Sequence, residues 1–279
     1  AASFLFKAKP YLWVHDLWPE SVKDAGGINN KFLLYLVDLM TKSIYYFYDC
    51  ILVQSPSFKD YLLKQGVNDS KIIFYPYYAE NFYEVQNESP KIKSQFGKGL
   101  KIVFAGNIGV AQSFNTIVDA VKILAAKLKN FKFIIIGDGR DRKRIQKKIA
   151  DYSLDDYFEF LGSFPPEDMP PFFASADALL VSLKDTKIFS MTIPGKLQSY
   201  LACGKPIIAS LNGIGAKIVE ESNSGFTSSA ENPDSLANSV LKFSRLNSQQ
   251  KKELGKNARV YYEKEFERSR LLTRLIDIF

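Results

Sequence analysis

From Leu100 onward, short apolar runs alternate with longer amphipathic ones, and this alternation fixes the expected architecture. KIVFAG (101–106), FKFIIIG (131–137), FEFLG (158–162), ALLVSL (178–183) and IIAS (207–210) are brief and nearly continuous in apolar residues, as strands buried on both faces are. Helical patterns follow over 115–128, 142–152, 170–176 and 197–202, then AKIVEES, a turn at Gly225, and a final pair over 233–246 and 248–279. Strands alternating with helices predict an α/β fold with a parallel, doubly wound sheet. Right-handed crossovers put every strand-to-helix loop at one edge, where such sheets bind ligands. The loops 106–113, 137–141, 162–169 and 184–196 are therefore expected to converge.

Before Leu100 the pattern is less regular. YLWVHD (11–16) reads as a strand ending in His15 and Asp16, and LWPES as a helix start. KFLLYLVDLMTKSIYYFYD (31–49) is apolar almost all round, so it either packs in a core or lies against a bilayer surface. CILVQS (50–55) reads as a buried parallel strand, SPSFKDYLLKQG as a helix capped by Ser55 or Ser57 and stopped by Gly66, and Ile72–Tyr75 as a strand ended by Pro76. The polar stretch 86–99, with Pro90, Gly97 and Gly99, reads as an interdomain linker.

With 279 residues, one large domain or two ordinary ones fit, and 46% hydrophobic against 24% charged residues is usual for a globular chain. A net charge of +7 with 14% aromatics points to an anionic partner. The basic run Arg140, Arg142, Lys143, Arg144, Lys147 and Lys148 lacks interleaved aromatics, which argues against nucleic acid. Cys50 and Cys203 stand in apolar surroundings, as in a reducing, cytoplasmic compartment, and no Cys/His cluster has metal spacing. AASFLFKAKP carries no signal-peptide pattern, and no apolar run reaches the roughly 18 residues of a membrane span. The chain opens in mid-pattern, as a truncated first domain would.

Four stretches carry candidate chemistry. In IPGKLQSYLACGKPIIAS (193–210), Pro194, Gly195 and Lys196 open a helix, offering free N–H groups and a cation to an anion, or simply a proline-led helix start. AGNIG (105–109) places Gly106 and Gly109 where backbone amides can approach a phosphate, although any tight turn needs glycine. It is not the dinucleotide fingerprint of a redox domain. Gly137, Asp138 and Gly139 form a second such strand end, suited to a base, a ribose or a plain turn. His15, the single histidine, is either structural or placed to contact a sugar hydroxyl.

As a set, HDLWPES, LVQSPSFKDYL, YAENFYEV, FAGNIGVAQ, GDG, FLGSFPPEDMP, the Pro-Gly-Lys segment and LACGKPIIAS resemble the GT-B glycosyltransferases of family 4, in particular bacterial members that build capsule, colanic-acid-type and O-antigen repeats. The resemblance implies two Rossmann-like domains with parallel sheets, the first incomplete here, and a last helix crossing back to it. The expected division is 1–88 on the acceptor side, 89–260 for the nucleotide-sugar, and 261–279 for that helix. It further implies metal-independent, retaining transfer, without a cofactor, from a nucleoside-diphosphate sugar such as a UDP-hexose or UDP-N-acetylhexosamine. The acceptor would be an undecaprenyl-diphosphate-linked saccharide, and the protein would be peripheral on the inner face of the bacterial plasma membrane.

Carried onto this sequence, the resemblance has Gly106, Asn107, Gly109 and Gln112, with Ser190, Met191, Thr192, Ile193, Pro194, Gly195 and Lys196, holding the diphosphate. Gly137, Asp138, Gly139, Gly162, Ser163 and Phe164 would frame the base, and His15 and Asp16 would face the transferred sugar. Two positions depart from the family. Its Glu-x7-Glu signature, whose second glutamate holds the ribose, is replaced by Met191 and Ser199, and the basic residues of its first loop by Asn107 and Gln112. Charge neutralisation then falls mainly to Lys196. Rival readings are a non-catalytic nucleotide-sugar or polysaccharide-binding module and a GT-B sugar-nucleotide epimerase, the latter disfavoured by the lone histidine.

Overall fold

The computed structural model describes residues 9–24, 28 and 30–279. The opening AASFLFKA, part of the stretch read for a signal peptide, lies outside them. Two compact units result: the described residues up to Tyr77 with Thr186–Ile193, and Tyr78–Asp185 with Pro194–Phe279.

The first unit holds three parallel strands, β1 (Tyr11–Val14), β2 (Cys50–Val53) and β3 (Ile72–Phe74), in that order. Register is direct, with Tyr11 opposite Cys50 and Val14 opposite Val53. Connecting them are α1 (Glu20–Asp24), α2 (Lys31–Phe47) and α3 (Pro56–Lys64). Ser55 caps α3, accepting from Phe58 N–H at 3.1 Å, and its hydroxyl also donates to Met191 O at 2.6 Å. That second bond ties in α8 (Lys187–Met191), whose Ile188 is buried in a cluster with Val14, Ile51, Phe58 and Leu62.

α2 does not pack in a core along its length. Thr41 and Tyr45 face inward, whereas Phe32, Tyr46 and Phe47 are 70%, 77% and 69% exposed. Among the described residues, one narrow stripe of this helix is buried and the remainder is open.

The second unit is built on six parallel strands: β4 (Leu100–Ala105), β5 (Phe131–Ile136), β6 (Phe158–Gly162), β7 (Ala178–Ser182), β8 (Ile207–Ser210) and β9 (Gly225–Ser228). They lie in the order β6-β5-β4-β7-β8-β9. Counted from β4, that is the 3-2-1-4-5-6 order of a doubly wound sheet, with its switch point between β4 and β7. Ile102, Phe104, Phe133, Ile135 and Leu180 of the strands are buried against Ile117, Val121 and Ile145 of α5 (Phe114–Ala125) and α6 (Arg142–Asp151). Also in this unit are α7 (Met169–Ala174), α9 (Gly195–Ala202), α10 (Ile214–Glu221), α11 (Pro233–Ser244), α12 (Ser248–Glu265) and α13 (Arg268–Ile278).

Three local readings change. Gly225 opens a strand paired in parallel with β8. The stretch read as a linker contains α4 (Pro90–Phe96), capped by Ser89, with Phe96 fully buried and 6.4 Å from the Phe172 ring, so the units divide after Tyr77 instead of at 88. The last helical stretch is broken between Glu265 and Arg268, where Glu267 caps α13 by accepting from Ser269 and Arg270 N–H.

Candidate nucleotide site

At the carboxyl ends of β4, β5 and β6 lies a cavity of about 420 Å³. Of the expected site residues, Gly106, Asn107, Gly137, Asp138, Ser163, Phe164, Lys196 and Ser199 line it. This is the edge where the strand-to-helix loops were expected to meet. A larger groove of about 600 Å³, lined by Lys205, Lys251 and Arg259 among others, opens near the amino ends of β7 and β8, away from those loops.

Backbone hydrogen bonds hold the loops together. Gly106 N–H donates to Ile136 O at 2.8 Å, Gly137 N–H to Gly162 O at 2.7 Å, and Ile108 N–H to Asp138 O at 2.8 Å. Glycine is required for this approach: a Cβ on Gly137 would fall 2.0 Å from Gly106 O. At Gly106, with φ +128°, the missing Cβ leaves room for a side chain instead, since it would fall 2.5 Å from Lys196 Cε. Gly109, Gln112, Gly139 and Gly162 shape these loops from outside the cavity lining. Gln112 Oε1 lies over Gly109, buried without a hydrogen-bond partner among the described residues.

Lys196 enters from the first turn of α9. Its helix starts there because Pro194 supplies a fixed φ at the N-cap and Leu197 N–H bonds back to Pro194 O at 2.8 Å. Its side chain lines the cavity and the ammonium lies over the Phe104 ring. Among the described residues no carboxylate is paired with it. Burial, which disfavours the charged form, pulls its pKa down from the ordinary lysine value to about 7.

Aromatic residues that sequence reasoning missed complete the wall. Tyr200 is buried, accepts Ala105 N–H at 3.1 Å, and meets the Phe173 ring edge-on at 5.1 Å. Tyr83 stacks on Phe173 at 6.1 Å and 14°. Burial, with Glu80 adding to it, pushes the Tyr83 hydroxyl up to about 12, so at neutral pH it is a hydrogen-bonding group and not an acid. Tyr83 belongs to the YAENFYEV motif; no spacing rule marked it for this cavity.

The other expected residues lie elsewhere. Pro194 and Gly195 begin α9, beside the cavity lining. Ser190, Met191, Thr192 and Ile193 belong to the first unit, where Ser190 Oγ donates to Lys187 O and Thr192 Oγ1 to Ile188 O, both at 2.8 Å. The expected loop there contains α8 because Thr186 caps it, accepting from Phe189 N–H at 3.3 Å. His15 and Asp16 also lie in the first unit, lining a smaller hollow of about 260 Å³ with Trp13, Trp18 and Tyr45. The His15 ring is 4.8 Å from both Trp13 and Tyr77.

Comparison with known proteins gives this geometry its context. The chain is 27% identical over 238 residues to the "Probable glycosyltransferase WbjE" of Pseudomonas aeruginosa, covering 81% of this chain and 57% of that protein. It is 25% identical over 156 residues to the amylovoran biosynthesis glycosyltransferase AmsK of Erwinia amylovora, covering 56% of this chain and 38% of that one. The chain thus spans little more than half, or less, of these relatives' length. The crystal structure of Anabaena Alr3699/HepE in complex with UDP matches 99% of this chain and 73% of its own at 16% identity, with a TM-score of 0.80, a likeness of GT-B fold. Residues 85–261 match the family model described as glycosyl transferases group 1, which spans the cavity loops, α9 and the whole six-stranded sheet, and the chain belongs to that family.

Proposed function

We propose that the protein transfers a sugar from a nucleoside-diphosphate donor, a UDP-hexose or UDP-N-acetylhexosamine, to an undecaprenyl-diphosphate-linked saccharide in surface-polysaccharide synthesis. One observation carries this reading: a half-buried Lys196 at the start of α9, its ammonium over the Phe104 ring with no carboxylate paired to it among the described residues, in a cavity edged by the glycine turns of three strands. Such a site supplies what a diphosphate needs, a cation beside free N–H groups at a positive helix end. AmsK, named for amylovoran biosynthesis, and HepE, which holds UDP in its crystal, support the class of reaction and of donor.

In the proposed reaction Lys196 and the α9 amides offset charge that builds on the diphosphate as the anomeric C–O bond breaks. The acceptor oxygen bonds to the anomeric carbon from the face the diphosphate leaves, and its proton passes to a phosphate oxygen. This gives retention without an enzymic nucleophile or a metal. Asn107 is assigned to the diphosphate side and the Gly137–Gly139 and Gly162–Phe164 turns to the base; His15 and Asp16 of the first unit are assigned to the transfer step.

The test is calorimetric titration with UDP, followed by assay of UDP-sugars with a polyprenyl-diphosphate-linked saccharide in the presence of EDTA. UDP binding with transfer and a retained anomeric configuration is expected. His15→Ala should leave UDP affinity within about twofold while lowering turnover about tenfold, the effect of one lost hydrogen bond. No UDP binding would sink the proposal, and binding without transfer would make the chain a binding module.

A further inference from the structure

Five cations line the groove of about 600 Å³ near the amino ends of β7 and β8: Lys205 from the turn after α9, and Lys251, Lys252, Lys256 and Arg259 from α12. The nucleotide cavity lies at the opposite edge of the same sheet. On α12 the spacing i, i+4, i+7 puts Lys252, Lys256 and Arg259 on one face. That helix can come up against the turn because glycine faces glycine there: a Cβ on Gly255 would fall 2.4 Å from Gly204 O.

Two of the five brace the groove. Lys205 Nζ donates to Ala174 O at 2.9 Å, and Arg259 donates to Ala202 O and to Glu263, both at 2.7 Å. The Lys251 ammonium lies over the Phe243 ring, 4.9 Å from its centroid. Lys252 and Lys256 are exposed and have no hydrogen bond or ion pair among the described residues. Two carboxylates share the lining, and both are engaged: Asp177 accepts from Lys101 N–H at 2.8 Å, and Glu88 is ion-paired with Lys93. Like charges one helical turn apart repel each other, so nothing on the groove's own walls offsets the row of lysines. A ligand that brings negative charge would.

We propose that this groove is a second anion site, taking a ligand that presents several phosphates. Lys252 and Lys256 are about 6 Å apart along the helix axis and Arg259 about 4.5 Å further, so the row fits a series of phosphates better than a single one. An ammonium is a point charge with three rotatable donors and imposes no fork geometry, which suits phosphates arriving at varied angles. A free polyphosphate compound and the neighbouring headgroups of an anionic lipid surface share this chemistry. The site is independent of the nucleotide reading, since Lys196 does not line the groove.

Calorimetry with tripolyphosphate and co-sedimentation with phosphatidylglycerol vesicles test it on wild type and on Lys196→Met, which disables the nucleotide cavity. Two charge reversals are then added to Lys196→Met: K252E/K256E in the groove, and K143E/K147E on α6 as a control of the same spacing, exposure and charge change. Matching thermal melts establish that each variant is folded. Wild type and Lys196→Met are expected to bind at least one probe with affinities within about twofold. K252E/K256E should weaken that binding at least about tenfold, and the control within about twofold. Loss of tripolyphosphate binding identifies a free ligand, and loss of vesicle binding alone a lipid surface. The groove is overturned as a site if wild type binds neither probe, if Lys196→Met alone removes binding, or if the two charge reversals weaken it equally or not at all.

Discussion

The ammonium of Lys196 lies 3.9 Å from the centroid of the Phe104 ring, an aromatic face taking the place of a counter-ion. A cation over a ring is stabilised by only about 0.5–2 kcal/mol, which does not offset the loss of water around a buried charge. With its pKa near 7, Lys196 is close to half-protonated in the unliganded protein at neutral pH. A bound diphosphate restores the preference for the charged form. Below pH 7 the lysine is already charged and affinity for UDP should be flat. Above it, binding must take up a proton, so Kd should rise by up to about tenfold per pH unit. Calorimetry at pH 8 in two buffers of different ionisation enthalpy should register that uptake, and a Kd unchanged from pH 6 to 9 contradicts it.

The same burial sets a stability prediction with a defined sign. In the unfolded chain Lys196 holds its proton up to about pH 10.4, so between pH 7 and 10.4 the unfolded state binds more protons. This residue's contribution to stability therefore rises with pH across that window and is least favourable below pH 7. Lys196→Met should stabilise the protein near pH 6.5 by on the order of 1–2 kcal/mol while abolishing UDP binding. A thermal melt showing the variant less stable at that pH would count against the unpaired-charge account.

Two glycines at adjacent strand ends should fail in different ways. Gly106→Ala would place its Cβ against the far end of a lysine, which can swing aside, so the fold survives with a strain cost of about 1–3 kcal/mol at φ +128°. Lys196 is displaced, however, and UDP affinity should fall at least about tenfold. Gly137→Ala instead meets the Gly106 carbonyl at 2.0 Å, where backbone must move. Its melting temperature should drop further than that of G106A, and equal melts with equal UDP affinity would remove the distinction.

Much of this was legible because buried parallel strands announce themselves. β4, β5 and β7 are dominated by Ile, Val, Leu, Phe and Ala as strands buried on both faces are, and Gly106 and Gly137 directly after β4 and β5 mark the loop edge. β9 was not legible: GFTS is an edge strand, half-buried, and its glycine reads as a turn. α4 was hidden by its own start signal, since Ser89 and Pro90 serve equally as N-cap with N1 proline and as loop punctuation. The aromatic wall of the cavity was invisible for another reason, because Tyr83, Phe173 and Tyr200 come from three separated segments that only the fold brings together. Phe96 tests the revised reading of the linker. Phe96→Ala should cost about 3–5 kcal/mol, as a buried phenylalanine does, and a loss under 1 kcal/mol would restore the linker.

The final prediction concerns α2, whose outward face repeats Phe32, Leu36, Leu39 and Tyr46 at helical spacing with Phe47 beside them. Among the described residues no helix is long and apolar enough to cross a membrane. We propose that this face rests in the headgroup region of an anionic membrane, where Tyr and Phe side chains are well accommodated and the +7 net charge adds attraction. Replacing Phe32, Tyr46 and Phe47 with serine removes the three most exposed rings without touching Thr41 or Tyr45 on the buried side. Co-sedimentation with phosphatidylglycerol vesicles should fall at least about tenfold in the triple variant, because each aromatic side chain contributes up to about 1.5–3 kcal/mol on leaving water. Its UDP affinity should stay unchanged, since the cavity around Lys196 belongs to the other unit. Wild-type protein that stays in the supernatant at low salt defeats the proposal, and so does a triple variant that sediments as wild type does.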